Sequence, residues 1–206
     1  MKLARKISSI CLVLFLGCAG LNGGGAPSGV EADDYQSALS EWTEEAKVYQ
    51  EFETRLLAAA TFKSWEFRQA YVEKYARIYL LETGSKRDML EEERAVSSKQ
   101  NEFFLSIYSP DKDLGDFSME NAAWKICLLD EQGNKLEPIK IKKVKQKESL
   151  LQEFYPYITL WSSFYQLSFP VDFPETQEPF ITPETRYIRL VINGPSSRAV
   201  MTWELR

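Results

Sequence analysis

The chain of 206 residues contains no histidine. Catalysis by a Ser-His or Cys-His pair, a histidine general base and zinc sites with imidazole ligands are therefore excluded. A Gly-rich phosphate loop, a Gly-x-Ser-x-Gly motif and any metal-ligand spacing are absent from the sequence as well. Because an enzyme would have to rely on carboxylates, lysine, tyrosine or a Ser-Lys pair, we predict a protein that is not an enzyme and has no cofactor and no metal site.

Long hydrophobic runs are also missing. The apolar run near the start of the chain, Ile10–Leu16, is far shorter than the roughly 20 residues that a helix needs to cross a bilayer. Three basic residues precede the run, and Gly17 and Cys18 follow it. A short basic head, an apolar core and a small residue before a cysteine are typical of a secretory signal peptide.

The end of this segment, Leu14-Phe15-Leu16-Gly17-Cys18, resembles the lipobox of bacterial lipoproteins. The resemblance implies that residues 1–17 are removed as a signal peptide and that Cys18 is acylated. Two or three acyl chains anchor a protein stably in a bilayer. Ala19 after the cysteine implies, for a Gram-negative member, an outer-membrane lipoprotein facing the periplasm. The alternative is an ordinary signal peptide that is cut after Ala19 or Ala26 and releases a secreted protein.

Charge and cysteine content limit the mature chain further. Loss of three of the 25 basic residues with the signal peptide leaves 22 against 30 acidic residues, a net charge of −8. Such an acidic chain is a poor candidate for nucleic-acid binding. With Cys11 removed and Cys18 acylated, only Cys127 remains, so an internal disulfide is excluded. Cys127 lies in an apolar run, which predicts a small buried hydrophobic residue.

The first half of the mature chain is predicted to be a tether followed by helices. Residues 18–32 are rich in glycine and have no apolar periodicity, which is typical of a flexible linker. Residues 33–97 are predicted to be a helical region, with helices over Asp33–Ala60, Trp65–Leu81 and about Ser85–Val96. Ser64 is predicted to cap the second helix, and Gly84 to end it. The first helix is predicted because apolar residues recur at steps of three and four: Tyr35, Leu39, Trp42, Ala46, Tyr49, Phe52 and Leu56.

Residues 98–206 show the two-residue alternation of half-buried strands. The alternation predicts about seven strands, including a further one around Tyr157–Trp161, with hairpin loops near residues 130–134 and 193–197. The number and spacing of the strands are typical of an immunoglobulin-like sandwich. The predicted fold is therefore α+β, with an N-terminal helical hairpin packed on a C-terminal immunoglobulin-like antiparallel β-sandwich. The alternating residues include Phe103, Leu105, Ile107, Trp124, Ile126, Leu128, Tyr165, Leu167, Phe169, Ala199, Met201 and Trp203.

For three clusters of charged residues we favour a structural interpretation over a functional one. The acidic cluster that includes Asp116 fits a polar loop, since its spacing fails the calcium-loop pattern. The lysine stripe Lys140–Lys147 fits an edge strand protected from pairing, and anionic lipid is the alternative partner. Glu91–Glu93 fits a solvated helix face. The acidic cluster consists of Asp111, Asp113, Asp116 and Glu120.

The remaining candidate site is aromatic. Tyr157 and Trp161 follow a Phe-Tyr-Pro sequence and are the aromatic residues in this half that are most suited to an exposed ligand-binding surface. Most other aromatic residues there are predicted to be core. We therefore expect a lipoprotein of the bacterial cell envelope that serves as a non-enzymatic interaction or accessory module for another envelope protein. The alternative is a glycan-binding module that stacks sugars on strand aromatics.

Overall fold

The computed structural model describes residues 30–110, 116–118, 122–145, 148–195 and 198–205. Within these residues the chain forms four helices and nine strands. The helices are α1 (Val30–Glu41), α2 (Trp65–Ile78), α3 (Thr83–Ser97) and α4 (Glu148–Phe154). The strands are β1 (Thr43–Gln50), β2 (Glu53–Phe62), β3 (Gln100–Tyr108), β4 (Lys125–Leu129), β5 (Lys135–Leu136), β6 (Lys140–Lys143), β7 (Ser163–Pro170), β8 (Tyr187–Asn193) and β9 (Arg198–Glu204).

The strands form two antiparallel sheets. One has five strands in the order β1-β2-β3-β7-β6, and the other has four in the order β5-β4-β8-β9. The chain crosses between the sheets three times, after β3, after β5 and after β7. The α+β class and the antiparallel strand region are therefore confirmed. The five-stranded sheet begins within the segment that was predicted to be helical, since β1 and β2 belong to it.

The hydrophobic core lies between the inner faces of the two sheets. Along β9, Ala199, Met201 and Trp203 are buried while the residues between them are exposed, as the alternation predicted. The ring of Trp203 lies 5.1 Å from that of Phe103 in the opposite sheet, measured between centroids. Its indole N–H donates to the Trp42 carbonyl oxygen at 2.8 Å, so the core is also joined to the end of α1.

The predicted helix over Asp33–Ala60 is wrong beyond Glu41. The chain turns at Trp42 and continues as the β1–β2 hairpin, whose turn contains Glu51 at a φ of 57°. In this hairpin Ala46 is the buried residue of β1, and in β2 Leu56 and the run from Ala58 to Phe62 are buried. Two of the residues assigned to the helical face, Tyr49 and Phe52, are exposed at the hairpin end. The helical spacing through this segment was coincidental, because a turn separates its two halves.

The second and third helices are confirmed with small changes at their ends. The Ser64 side chain accepts a hydrogen bond from the backbone N–H of Phe67 at 3.1 Å and caps α2 as predicted. Gly84 does not end a helix but lies within the first turn of α3. The strand predicted around Tyr157–Trp161 is wrong, since this segment forms turns between α4 and β7.

An aromatic layer joins the helices to the outer face of the five-stranded sheet. Tyr155, which follows α4, stacks on Phe104 of β3 with ring centroids 4.0 Å apart. The ring of Phe67 in α2 also contacts Tyr155, with centroids 6.2 Å apart, and its centroid lies 5.9 Å from that of Tyr35 in α1. Such pairs add roughly 0.5–1.5 kcal/mol each beyond the area they bury. Helix α2 is thus joined to the sheet through Tyr155.

A buried charge cluster holds α2 and α3 at the same face. Glu102 of β3 is 2% exposed, and one of its carboxylate oxygens accepts from Lys63 at 3.1 Å and from Arg68 at 2.9 Å. The other oxygen accepts from the side-chain amides of Gln100 and Gln166 at 3.0 and 2.7 Å. Every acceptor position of this carboxylate is therefore used. Burial alone would raise the pKa of Glu102, but the two cations outweigh burial and hold the pKa below its ordinary value.

Arg68 extends the cluster to the third helix. Its side chain is 1% exposed and also pairs with Glu93 of α3, while its Nε donates to the Lys63 carbonyl oxygen at 2.9 Å. The prediction that Glu93 belongs to a solvated helix face is therefore wrong. Two cations and two carboxylates balance each other in this cluster, and they tie α2, α3 and β3 together.

Replacing Arg68 with Met should destabilise the protein by about 3–5 kcal/mol, because it leaves Glu102 buried beside fewer positive charges. The folded-state pKa of Glu102 is lowered, so its contribution is present above the unfolded value near 4.5 and is lost as pH falls below it. The difference between wild type and Arg68→Met should therefore shrink on acidification. Urea unfolding at several pH values measures both effects.

The matched control is Arg87→Met on the exposed side of α3, where the arginine side chain is 72% exposed. Its change in unfolding free energy should stay within about 0.5 kcal/mol. A cost for Arg68→Met that equals the control, or that does not depend on pH, would show that the cluster contributes no electrostatic stabilisation.

Candidate functional site

The helices and the turn after α4 cover only part of the outer face of the five-stranded sheet. The β2–β3 register pairs Thr61 with Phe104 and Ala59 with Ser106, so these four side chains share that face. Phe104 lies beneath Tyr155, as described above. Two residues further along the strands, Ala59 and Ser106 lie at the floor of an open groove instead. The small floor residues give the groove its depth.

The groove has a volume of about 330 Å³, at the lower end of the ~300–1,000 Å³ range of small-ligand sites. The β1–β2 hairpin and Tyr108 of β3 form one side. The segment from Tyr157 to Ser162 forms the other side and stands over the sheet. We call this feature the Trp161 groove. The residues that line it are mainly apolar or aromatic.

The structure brings both predicted site residues, Tyr157 and Trp161, to this one groove. The Trp161 side chain is 80% exposed, whereas the other tryptophans are buried or half-buried. Tyr157 is half-buried, and its hydroxyl shares a hydrogen bond of 2.7 Å with that of Thr61. Burial raises the pKa of Tyr157 well above its ordinary range, and the bond to Thr61 only partly opposes it. Tyr157 is thus an uncharged side chain that is held in place at one side of the groove, and Trp161 provides the exposed aromatic surface.

Most polar groups at the groove rim are paired with each other. The Lys47 amine lies 3.3 Å from the Glu45 carboxylate on the same strand, and the hydroxyls of Thr159 and Ser162 share a hydrogen bond of 2.9 Å. The exceptions are Ser106, which is 4% exposed at the floor, and Tyr108 at the side, since neither hydroxyl forms a hydrogen bond within the described residues. The arrangement offers apolar contact and two hydroxyl groups, those of Ser106 and Tyr108, that can form hydrogen bonds with a bound molecule.

A second cavity, of about 550 Å³, lies between the start of α2 and residues 171–185. Its lining carries four carboxylates, and Trp42 also lines it with an indole N–H that has no partner within the described residues. The carboxylates do not form a metal site, since the described residues contain no group of three or more ligating side chains. The four are Glu41, Glu66, Asp172 and Glu204.

The other candidate residues have structural surroundings. Cys127 is buried, and burial raises the pKa of its thiol. Asp116 pairs with Lys143 at 3.2 Å; burial would raise its pKa, but Ser118 and Lys143 lower it to about 2. The edge-strand interpretation of the lysine stripe is confirmed for β6, which lies at one end of its sheet. The other acidic-cluster residues, Asp111, Asp113 and Glu120, and Cys18 lie outside the described residues.

Sequence reasoning missed the sheet side of the groove. Lys47 and Leu57 had been assigned to a helix, so their place on a strand face was not foreseen. The sequence did contain a signal for this side of the groove. It is the run of small residues Ala58–Ala60 between two larger residues, together with Ser106 in a strand of otherwise bulky residues. Read with a period of two, these residues would have predicted a depression in the sheet.

Neither a protein-family model, nor a curated protein, nor a solved structure matches this chain. In the part of the chain that the structure describes, none of the helices is both long and apolar enough to cross a membrane.

Acrylamide should quench a large part of the tryptophan fluorescence readily, and Trp161→Phe should remove that accessible component. The reason is that Trp161 is 80% exposed, whereas Trp42, Trp124 and Trp203 are at most 9% exposed. Stern–Volmer plots for the two proteins measure the component directly. The control is Trp65→Phe, which replaces a half-buried indole. An accessible component that survives in Trp161→Phe would contradict an exposed Trp161.

Proposed function

We propose that this protein is a lipid-anchored, non-enzymatic accessory module of the bacterial cell envelope, which docks another envelope protein at the Trp161 groove. The lipobox-like sequence supports the anchor at Cys18, in the outer membrane and facing the periplasm. The observation that carries the docking role is the exposed Trp161 above an uncovered, mainly apolar part of a sheet. A large exposed aromatic residue beside a pocket is typical of a residue that dominates binding energy at a protein interface.

The fold proposed with this function is an immunoglobulin-like sandwich with a short helical hairpin. Nine strands in two antiparallel sheets, joined by three crossings, support the sandwich. The hairpin would consist of α2 and α3, which are joined by a short connection. Both assignments describe a scaffold that presents the groove, and the docking proposal does not depend on either.

Glycan binding is the second candidate, and Trp161 with Tyr108 gives it an observation in its favour. Exposed aromatic rings can stack on the apolar face of a sugar. A sugar ring also carries several hydroxyls that need partners, and each one buried without a partner costs about 1–3 kcal/mol. The groove offers few free polar groups besides Ser106, so protein docking fits its lining better.

The anchor and the docking surface can be tested together on protein isolated from the membranes of its own cells. Wild type should remain in the membrane fraction, begin at an acylated Cys18, and retain a bound envelope protein. Cys18→Ser should appear in the soluble fraction, because it cannot be acylated. Trp161→Ala should stay in the membrane fraction and lose the bound protein. Fractionation, N-terminal peptide mass and the composition of the purified complex are the measurements.

The control for docking is Ile139→Ala, which removes an exposed apolar side chain next to β6, at the far edge of the same sheet. This variant should keep both the anchor and the bound protein. An unmodified N-terminus that starts after Cys18 would contradict the anchor. Equal retention of the bound protein by wild type and Trp161→Ala would contradict docking at the groove.

A further inference from the structure

Strand β1 lies at one edge of the five-stranded sheet, and its far side is open. Among the described residues it pairs with β2 alone. The backbone N–H and C=O groups along its open side therefore have no backbone partner in the part of the chain that the structure describes. A row of unpaired groups of this kind can pair with a strand of another chain. With eight residues, β1 is long enough for a regular pairing.

The other three edges of the two sheets differ from β1 in their charges or their length. Strand β6, at the opposite edge of the same sheet, has lysine at three of its four positions, so two copies of it repel each other. Strand β5 has only two residues. Strand β9 carries its opposite charges, Arg198 and Glu204, at its two ends. In β1, by contrast, Glu45 and Lys47 lie directly on either side of Ala46.

This order of charges makes β1 complementary to itself. When a strand pairs antiparallel with its own copy, a two-fold axis places one residue opposite its copy and the two neighbours of that residue opposite each other. With Ala46 at the axis, Glu45 lies opposite Lys47 of the second copy, and the reverse pair forms on the other side of the axis. Both pairs lie on the outer face of the sheet, where Glu45 and Lys47 border the Trp161 groove. Opposite charges that face each other across two strands stabilise the pairing.

Other registers of the same pairing are less favourable. An axis at Glu45 or at Lys47 brings that charge against the same charge of the second copy, which weakens the pairing. An axis nearer to either end of the strand pairs fewer residues. The axis at Ala46 pairs Thr43–Tyr49 and brings no like charges together. The sequence of β1 therefore favours one register for pairing with a second copy.

The same register gives a partner to an exposed aromatic residue. Tyr49 is 60% exposed and follows Lys47 by two positions, so it lies on the outer face as well. In this register Tyr49 lies opposite Thr43 of the second copy. Thr43 borders a hollow between α1 and the start of β1, which Tyr157 also lines. Each copy therefore places an exposed apolar ring at a hollow of the other, where the ring is removed from water.

We propose that two copies of this protein associate through β1, which pairs antiparallel with β1 of the second copy about Ala46 and forms ion pairs between Glu45 and Lys47 across the strands. The two five-stranded sheets then become one continuous sheet. Because the two-fold axis is perpendicular to this sheet, both Trp161 grooves open on the same face. The association does not depend on the docking function proposed above, but it places two docking sites side by side, which raises the avidity for a partner that carries two binding segments.

Charge reversal tests this register directly. Two differently tagged copies of the full chain are expressed together, and co-purification of one with the other from detergent extracts measures their association. Wild type should associate with itself. Glu45→Lys and Lys47→Glu should each weaken self-association about tenfold or more, because each places two pairs of like charges across the strands. One variant mixed with the other should associate as wild type does, since one chain then has lysine at both positions and the other has glutamate at both.

The matched control is Glu137→Lys. Glu137 pairs with Lys135, two residues away at the edge of the other sheet, at 2.8 Å, and both side chains are exposed, as those of Glu45 and Lys47 are. This variant should self-associate as wild type does. Trp161→Ala should self-associate as well, because Trp161 is not on the edge of the sheet. Each charge variant should unfold at the wild-type urea concentration, since an exposed ion pair contributes little to stability.

Three outcomes would overturn the inference. The first is a wild type that does not associate with itself. The second is self-association of Glu45→Lys and Lys47→Glu at the strength of wild type; a loss in Arg198→Glu alone would then assign the contact to β9. The third is a mixture of the two β1 variants that associates no more strongly than either variant by itself. In each case a loss of the docked protein in Trp161→Ala would leave the docking function standing.

Discussion

The placement of the helices depends on the charge cluster around Glu102. A carboxylate that is almost completely buried on a sheet face is tolerated only when every acceptor position is filled, and Lys63, Arg68, Gln100 and Gln166 fill them. Those partners come from the residue after β2, from α2, from β3 itself and from the neighbouring strand β7. The cluster therefore fixes α2, and through Glu93 also α3, over one end of the five-stranded sheet.

The charge cluster places the helices over one end of the five-stranded sheet and leaves the other end of the same face uncovered. The aromatic layer of Phe67, Tyr155 and Phe104 closes the helix end of the sheet, whereas Ala59 and Ser106 lie beyond its reach. The turn after α4 then leads Tyr157 and Trp161 out over this open part. The outer face of the five-stranded sheet is thus covered by helices at one end and accessible to a ligand at the other. The docking role that we propose follows from this division.

The sequence predicted the parts of the fold in which one period dominates. Residues 198–205 alternate over their whole length, so the strand there was predicted. Helix α2 was predicted because it has a capping serine and aromatic residues at helical spacing. The hairpin of β1 and β2 was not, because Tyr35, Leu39 and Trp42 continue by chance into Ala46 and Tyr49 at helical steps. The charge cluster could not be predicted either, since Arg68, Glu93 and Glu102 are far apart along the chain. Tyr157 and Trp161 were predicted together as an exposed aromatic surface. The residues across the groove from them were not predicted, because they fell within the wrongly predicted first helix.

The most direct test of this account is photo-crosslinking in living cells from a benzophenone amino acid placed at position 161, with the same residue at position 139 as the control. Both positions are exposed, so the substitution should leave the fold intact. A partner bound at the Trp161 groove should give crosslinks from position 161 to one discrete envelope protein, and few or none from position 139. Equal crosslinking from both positions, or crosslinks from position 161 to lipid alone, would contradict a partner at the Trp161 groove.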